Sequence, residues 1–234
     1  MFDFIQFDEK THRYFNTNTG KYVPSVTSII SKLYTFDKAY HLKRKASKLN
    51  ITPEELEKQW DTKRDNAANK GKVFHKYMED RLLNRPTDTE NYVAESYLAT
   101  YKNDVSLHCE MVVGNHLIAG TLDNLSLRDG KYILKDWKTN EKFTTESEYN
   151  LAKPFAYLDT SKFTLYALQL SLYRYLLDIP IYRMEVIHFT DTDYKVYTLP
   201  YMEREVWQII KQLEHDNRAT YSSSTGIDPS ILRS

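Results

Sequence analysis

Two aspartates lie in neighbouring apolar runs of the sequence, and a lysine follows the second of them. Asp123 is within "HLIAGTLDNLSL", and Asp136 and Lys138 are within "KYILKDWK". Acidic residues are uncommon inside strands, and a buried carboxylate is costly unless it is paired or coordinates a metal. The pattern therefore indicates either a salt bridge or a site at which carboxylate oxygens do chemistry.

The "RDG" turn between these runs predicts a hairpin, which brings the two acids together if both face one side. Lys138 comes two positions after Asp136, so strand periodicity puts both side chains on one face and points Trp137 into the core. The two carboxylates and the Trp137 backbone carbonyl would suit Mg²⁺ or Mn²⁺. The alternative is an exposed Asp–Lys ladder, which the apolar residues around Asp136 disfavour.

Composition limits the possible classes of protein. The 234 residues carry a formal net charge of +0, which argues against a uniformly basic nucleic-acid-binding surface but permits a local basic groove. The single cysteine, Cys109, permits neither an internal disulfide nor a four-cysteine iron–sulfur cluster, and it favours a cytoplasmic location. No apolar run approaches the roughly 20 residues of a membrane span, and we expect no targeting segment.

Hydrophobic periodicity predicts the order of elements. A small β-meander is followed by helices, three strands, a buried helix, two strands and an amphipathic helix. We predict an α/β (α+β) fold: a central mixed sheet of about five strands flanked by helices, with a helical N-terminal region. The expected divisions are a β-meander and helical region that carries His75 (1–105), a core (106–220) and a flexible tail (221–234), in one compact domain.

Several short motifs together resemble a known enzyme family. "GTLD" followed by "DWK" resembles the core of the PD-(D/E)XK nuclease superfamily, and especially its RecB-like branch, which includes phage and mitochondrial genome maintenance exonucleases. "YVPSVTSII", "NKGKVFHKYMED" and "QLSLY" resemble further motifs of that branch, in the same order. The likeness spans residues 22–177, and the shared order is a stronger signal than any single motif. The resemblance implies that residues 106–220 form the nuclease core and that the helical N-terminal region arches over the active site.

The resemblance implies a role for each matched residue. The implied catalytic residues are Asp123, Asp136 and Lys138. The implied metal ligands are His75, Asp123, Asp136 and the Trp137 backbone carbonyl, with Glu110 as a weaker candidate. Residues expected to bind DNA or support the site are Gln169, Tyr173, Glu79, Lys70, Lys72, Lys43 and Arg44.

The residues alone leave structural alternatives open. His75 and Glu79 are four apart and share one helix face, yet an isolated helical histidine is more often a core or surface residue. Gln169 and Tyr173 have the same spacing and also fit a helix core. The basic segment "HLKRKASK" fits a phosphate-binding surface or a solvated helix face, and the nearby rings of Phe36 and Tyr40 fit base stacking or a core.

The resulting functional hypothesis is a Mg²⁺- or Mn²⁺-dependent DNA exonuclease. It would act on single-stranded or frayed ends in DNA processing, recombination or degradation, with a helicase, recombination or replication protein as a possible partner. Since the sequence has no phosphate-binding P-loop, we expect no nucleotide cofactor. A phage-encoded enzyme would work in the host cytoplasm. The alternatives are a structure-specific or restriction-type endonuclease of the same fold and a catalytically inactive nucleic-acid-binding module.

Overall fold

The computed structural model describes residues 2–34 and 36–225, with the last seven of these described by their backbone only. The chain begins with a three-stranded antiparallel sheet in the order β1-β2-β3. Its strands are β1 (Ile5–Asp8), β2 (Arg13–Asn16) and β3 (Lys21–Val23). This sheet is the predicted β-meander.

The central sheet has five strands in the order β4-β5-β6-β7-β8. They are β4 (Val105–Gly114), β5 (Ala119–Arg128), β6 (Lys131–Lys138), β7 (Ile181–Phe189) and β8 (Tyr194–Leu199). Strands β6 and β7 are parallel, and the other neighbours are antiparallel. A parallel pair needs a crossover connection, which here contains a helix. The predicted mixed sheet flanked by helices is therefore confirmed.

In the described ranges, six helices accompany the two sheets. They are α1 (Val26–Ser31), α2 (Lys38–Leu49), α3 (Pro53–Leu82), α4 (Tyr92–Thr100), α5 (Lys162–Leu177) and α6 (Glu203–Thr225). Within the described parts of the chain, no helix combines the length and apolarity needed to cross a membrane. Helix α6 continues through residues 221–225 of the predicted tail, and residues 226–234 of that tail lie outside the described residues.

Helix α3 is one continuous element of 30 residues. Thr52 and Glu55 form a capping box at its start and Pro53 occupies its first turn, so three local signals fix where the helix begins. The helix passes through Gly71 without a break. The glycine lies where α3 crosses the end of β6, because a Cβ built on Gly71 would be 3.7 Å from Thr139 Oγ1.

The two faces of the central sheet are covered differently. Helix α5 carries apolar residues nearly all round and belongs to the largest core cluster, together with the α5-facing side chains of the sheet. On the other face Trp137 packs with Phe74 of α3, Tyr97 of α4 and Phe189 of β7. Trp137 thus points into the core, as strand alternation predicted, and its neighbours on β6 point towards α5.

A buried ion network lies beside this second core. Arg128 binds Asp104 through two hydrogen bonds of 2.8 and 2.7 Å and Glu185 through two of 2.7 and 3.1 Å. Lys135 Nζ lies 2.5 Å from Asp104 Oδ2. Burial lowers the pKa of Lys135, whereas the hydrogen bonds from Arg128 and Lys135 outweigh burial and lower the pKa of Asp104. Removal of Asp104 would leave the buried Lys135 ammonium without the carboxylate to which it is hydrogen-bonded.

Two glycines give opposite predictions for substitution by alanine. Gly120→Ala would place a Cβ 2.5 Å from Cε1 of the buried Tyr173 ring, so we expect a loss of about 1–3 kcal/mol in the free energy of unfolding. Gly71→Ala removes a flexible residue from a helix interior with room for the methyl group, so we expect a gain of about 0.5–1 kcal/mol. Urea unfolding of both variants measures the two effects, and equal effects of the same sign would contradict this account of the packing.

Candidate metal centre

The hairpin formed by β5 and β6 opens at the two aspartates. The strands pair as far as Asn124 and Lys135, and the same register continued by one step sets Asp123 opposite Asp136. Beyond that point the Asp123 side chain takes the place of a backbone acceptor on β5: Trp137 N donates a 2.6 Å hydrogen bond to Asp123 Oδ2. The acids consequently lie side by side in a gap between the strands.

Asp136 faces helix α5 and is held from two directions. Gln169 Nε2 donates a 3.1 Å hydrogen bond to Asp136 Oδ1, and Lys138 Nζ lies 2.5 Å from Asp136 Oδ2. Oδ2 has no partner with hydrogen-bond geometry, so its contact with Lys138 is an ion pair only. Gln169 and Lys138 thus fix Asp136 within the buried face predicted for it.

Helix α3 delivers His75 to the same gap. Its Nδ1 lies 3.2 Å from Glu110 Oε1 and 3.6 Å from Asp123 Oδ1, and its Nε2 lies 3.1 Å from the Trp137 carbonyl oxygen. A neutral imidazole that donates Nε2–H to Trp137 would present the Nδ1 lone pair between the two carboxylates. Both ring nitrogens face oxygen acceptors, so the hydrogen-bond network alone favours the imidazolium, and a cation at Nδ1 would have to displace that proton. The Trp137 carbonyl, a predicted metal ligand, orients His75 in this arrangement.

Glu110 owes its position to an irregularity in β4. The register of β4 shifts between Ser106 and His108, and Glu110 has a φ of 47° within the strand. A left-handed backbone at a residue other than glycine costs about 1–3 kcal/mol, and such strain is concentrated at functional sites. The conformation brings the Glu110 carboxylate to His75. The weaker of the predicted ligand candidates therefore lies at the centre of the cluster.

The donor set fits a divalent cation. One ligand atom each from His75, Glu110 and Asp123 lie within 4.8 Å of one another. A ring nitrogen with two carboxylate oxygens and a further carboxylate at Asp136 suits Mg²⁺ or Mn²⁺ better than a thiol-preferring metal. Asp136 is outside the group of three, because its oxygens contact Lys138 and Gln169. Asp136, which was predicted as a metal ligand, therefore lies beside the group of three rather than within it.

The protonation of these groups follows from burial and charge. Burial raises the pKa of Asp136 to about 6 although Lys138 opposes the shift, and burial also raises the pKa of Asp123. Burial lowers the pKa of His75, but Asp123 and Glu110 outweigh it and raise the pKa to about 9. For Lys138 burial is likewise outweighed by Asp136 and Asp123, which hold its pKa above the usual range. The ammonium of Lys138 therefore stays charged at neutral pH.

The other predicted site residues divide into supporting and distant positions. Tyr173 is only 3% exposed and packs on Gly120, so it supports β5 from the core and is not available to a ligand. Glu79 forms ion pairs with Lys76 and Arg85 beyond the cluster, on the last turns of α3. The remaining predicted residues are exposed on two helices. Lys43 and Arg44 are on α2, and Lys70 and Lys72 are on α3, where Lys70 forms an ion pair with Asp191.

Sequence reasoning missed a second lysine beside Lys138. The ammonium groups of Lys138 and Lys162 lie 4.8 and 6.0 Å from the centre of the Tyr166 ring. Burial and the charge of Lys138 lower the pKa of Lys162, and no carboxylate in the described parts of the chain forms an ion pair with it. Lys162 is far from Lys138 in the sequence, and its position at the start of α5 gave no signal.

Comparison with known proteins adds little to these findings. No family model and no curated protein matches the chain. Among solved structures, the chain is similar to the crystal structure of SSO0001, with 15% sequence identity over 82% of this chain and 75% of that chain and a TM-score of 0.41. A likeness of this strength carries no information about the chemistry of the cluster.

The cluster predicts that metal affinity depends on pH. A cation bound at Nδ1 of His75 must displace a proton wherever the pH is below about 9, so the apparent Mn²⁺ affinity should fall about tenfold for each unit by which the pH falls from 9 towards 6. Calorimetric titration with Mn²⁺ at several pH values measures this slope. His75→Ala should bind Mn²⁺ more weakly and lose the slope above pH 6.

The exposed His108 of β4 provides a matched histidine control. His108→Ala should keep both the affinity and its dependence on pH. An unchanged Mn²⁺ affinity in His75→Ala would remove His75 from the metal centre.

Proposed function

We propose that the chain is a metal-dependent deoxyribonuclease that hydrolyses phosphodiester bonds from the ends of single-stranded or frayed DNA. One observation carries the proposal: Asp123, Asp136 and Lys138 meet on one buried face, and His75 and Glu110 reach it from two other elements. Carboxylates clustered in this way repel a phosphate unless a cation lies between them. A protein that only binds DNA would gain nothing from such a cluster.

Hydrolysis of a phosphodiester requires a water in line with the leaving oxygen and charge stabilisation at the nonbridging oxygens. A divalent cation, when bound by His75, Glu110 and Asp123, would supply the Lewis acid for the phosphate. The contact of His75 with the Trp137 carbonyl holds the imidazole towards the carboxylates, as is common for histidine ligands. This contact keeps the donor atoms in place before any ligand arrives.

Lys138 has the properties of an electrostatic group rather than of a base. Its raised pKa keeps it charged, and its ammonium can donate hydrogen bonds to a water or to a nonbridging oxygen while Asp136 holds its position. Lys162, which contacts the same Tyr166 ring, adds a second positive charge without an acidic partner among the described residues. Two lysines beside a carboxylate cluster support an anionic substrate such as a phosphodiester.

Substrate and setting belong to the same proposal. The implied preference for strand ends and a helicase or recombination partner follow from the motif resemblance, so they depend on the nuclease assignment. The cytoplasmic location follows from the single cysteine instead. Digestion of end-labelled linear and circular single strands tests the nuclease assignment, with Mg²⁺, with Mn²⁺ and with a chelator. Loss of linear strands alone in the presence of metal supports an exonuclease, and cleavage of circles supports the endonuclease alternative. Failure to cut either would overturn the proposal.

Lys138→Ala separates catalysis from metal binding. Removal of one preorganised charge at the reacting phosphate should lower kcat about 10²–10³-fold. Since the lost ammonium repels cations, the variant should bind Mn²⁺ at least as tightly as the wild type. Single-turnover cleavage and calorimetry measure the two quantities.

The matched control is Lys153→Ala, which removes an exposed lysine from the segment between β6 and α5. This variant should cleave at the wild-type rate. If Lys138→Ala did the same, the assigned role of Lys138 would be wrong.

A further inference from the structure

The hairpin of α2 and α3 has a small core of its own. Leu42, Ala46 and Leu56 form it, with the half-buried Ile51 and Trp60 packed against them. This cluster is separate from the core that surrounds α5. The N-terminal half of α3 and all of α2 therefore form a helical hairpin with its own core, and the ion pair between Lys63 and Glu141 ties this half of α3 to the segment after β6.

Aromatic rings collect on the outside of this hairpin. Phe36 and His41 are stacked, with ring centres 4.7 Å apart and planes 5° apart, and Tyr40 meets His41 edge to face at 5.3 Å. Trp60 lies 6.4 Å from Phe36. Phe36 and Tyr40 are 57% and 54% exposed. We call Phe36, Tyr40, His41 and Trp60 the aromatic platform.

Positive charges border the aromatic platform. Helix α2 contains five lysine or arginine residues and no acidic residue. Lys45 lies four positions after His41, on the same face, and its ammonium is 5.6 Å from the centre of the Trp60 ring. Lys48 follows on that face one turn later, and it is exposed without a carboxylate partner among the described residues. Exposed rings beside lysines that have no carboxylate partner in the described part of the chain match the surface that single-stranded nucleic acids require.

The aromatic platform is distinct from the metal centre. Trp60 and His75 are 15 positions apart on the continuous helix α3, which is about 22 Å at the rise of an α-helix. A rigid helix holds the two surfaces at this separation. A strand in contact with both must therefore extend over several nucleotides.

We propose that the aromatic platform stacks unpaired bases of a single-stranded DNA while Lys45 and Lys48 neutralise its phosphates. The identity of the ligand rests on the proposed function, but binding to the platform does not require cleavage. Unpaired bases expose the faces on which rings stack, whereas those of a duplex are covered. The platform consequently favours single strands over duplexes and long strands over those too short to reach from it to the metal centre.

Binding measured by fluorescence anisotropy tests the inference on the full chain. The probe is a fluorescein-labelled oligothymidylate, with EDTA present so that no metal-dependent cleavage occurs. Tyr40→Ala removes one stacking ring and should weaken binding about tenfold. Lys45→Ala should reduce the slope of log affinity against log salt concentration by about 0.7, the value expected for one phosphate contact to a single strand.

Matched controls remove the same residue types elsewhere. Tyr92→Ala takes away a tyrosine that is 77% exposed on α4, and Lys211→Ala takes away an exposed lysine of α6. Both should bind like the wild type. Equal affinities for Tyr40→Ala and Tyr92→Ala, or equal salt slopes for Lys45→Ala and Lys211→Ala, would overturn the platform. If the variants showed no effect on binding but the protein still cleaved DNA with metal, only the platform would be wrong. If the platform variants weakened binding but the protein did not cleave DNA with metal, only the proposed nuclease function would be wrong.

Discussion

The structure depends on enclosing two carboxylates, Asp123 and Asp136, at the open end of a hairpin. A buried carboxylate is tolerated only when other groups replace the water it loses. Here the replacement comes from four places: the Trp137 backbone amide, the Gln169 amide, the Lys138 ammonium and the His75 ring. These groups lie on three elements, β6, α5 and α3, so the local requirement of the two acids constrains how these elements are arranged.

The parallel crossover between β6 and β7 sets the position of α5. Helix α5 must return the chain from the end of β6 to the start of β7, and this path lays Gln169 and Tyr166 along the face that carries Asp136 and Lys138. The long helix α3 crosses the end of β6 and thereby brings His75 to the gap between the two strands. The buried network around Arg128 lies on the opposite face of the sheet, where it satisfies charges that take no part in the cluster.

The sequence predicted most of this arrangement because the signals are local. Period-two alternation placed Asp136 and Lys138 on one face and Trp137 on the other, and the turn residues of "RDG" placed β5 beside β6. The capping residues Thr52 and Pro53 fixed the start of α3. What the sequence could not predict depends on backbone irregularity or on contacts distant in the chain. Glu110 gains its position through a left-handed residue within β4, and Lys162 gains its position only after α5 docks.

Tyr173 shows how the structure separates two roles that the sequence leaves open. The residue was expected to bind DNA or to support the site, and its depth in the core leaves only the second role. Its ring occupies the space above Gly120, which explains why a residue without a side chain begins "GTLD". Four residues before Tyr173, Gln169 contacts Asp136 from the same helix face. The i,i+4 pair therefore couples the packing of β5, through Tyr173, to the position of Asp136 on β6, through Gln169. The spacing identifies the pair, but it does not show which residue packs and which one forms the hydrogen bond.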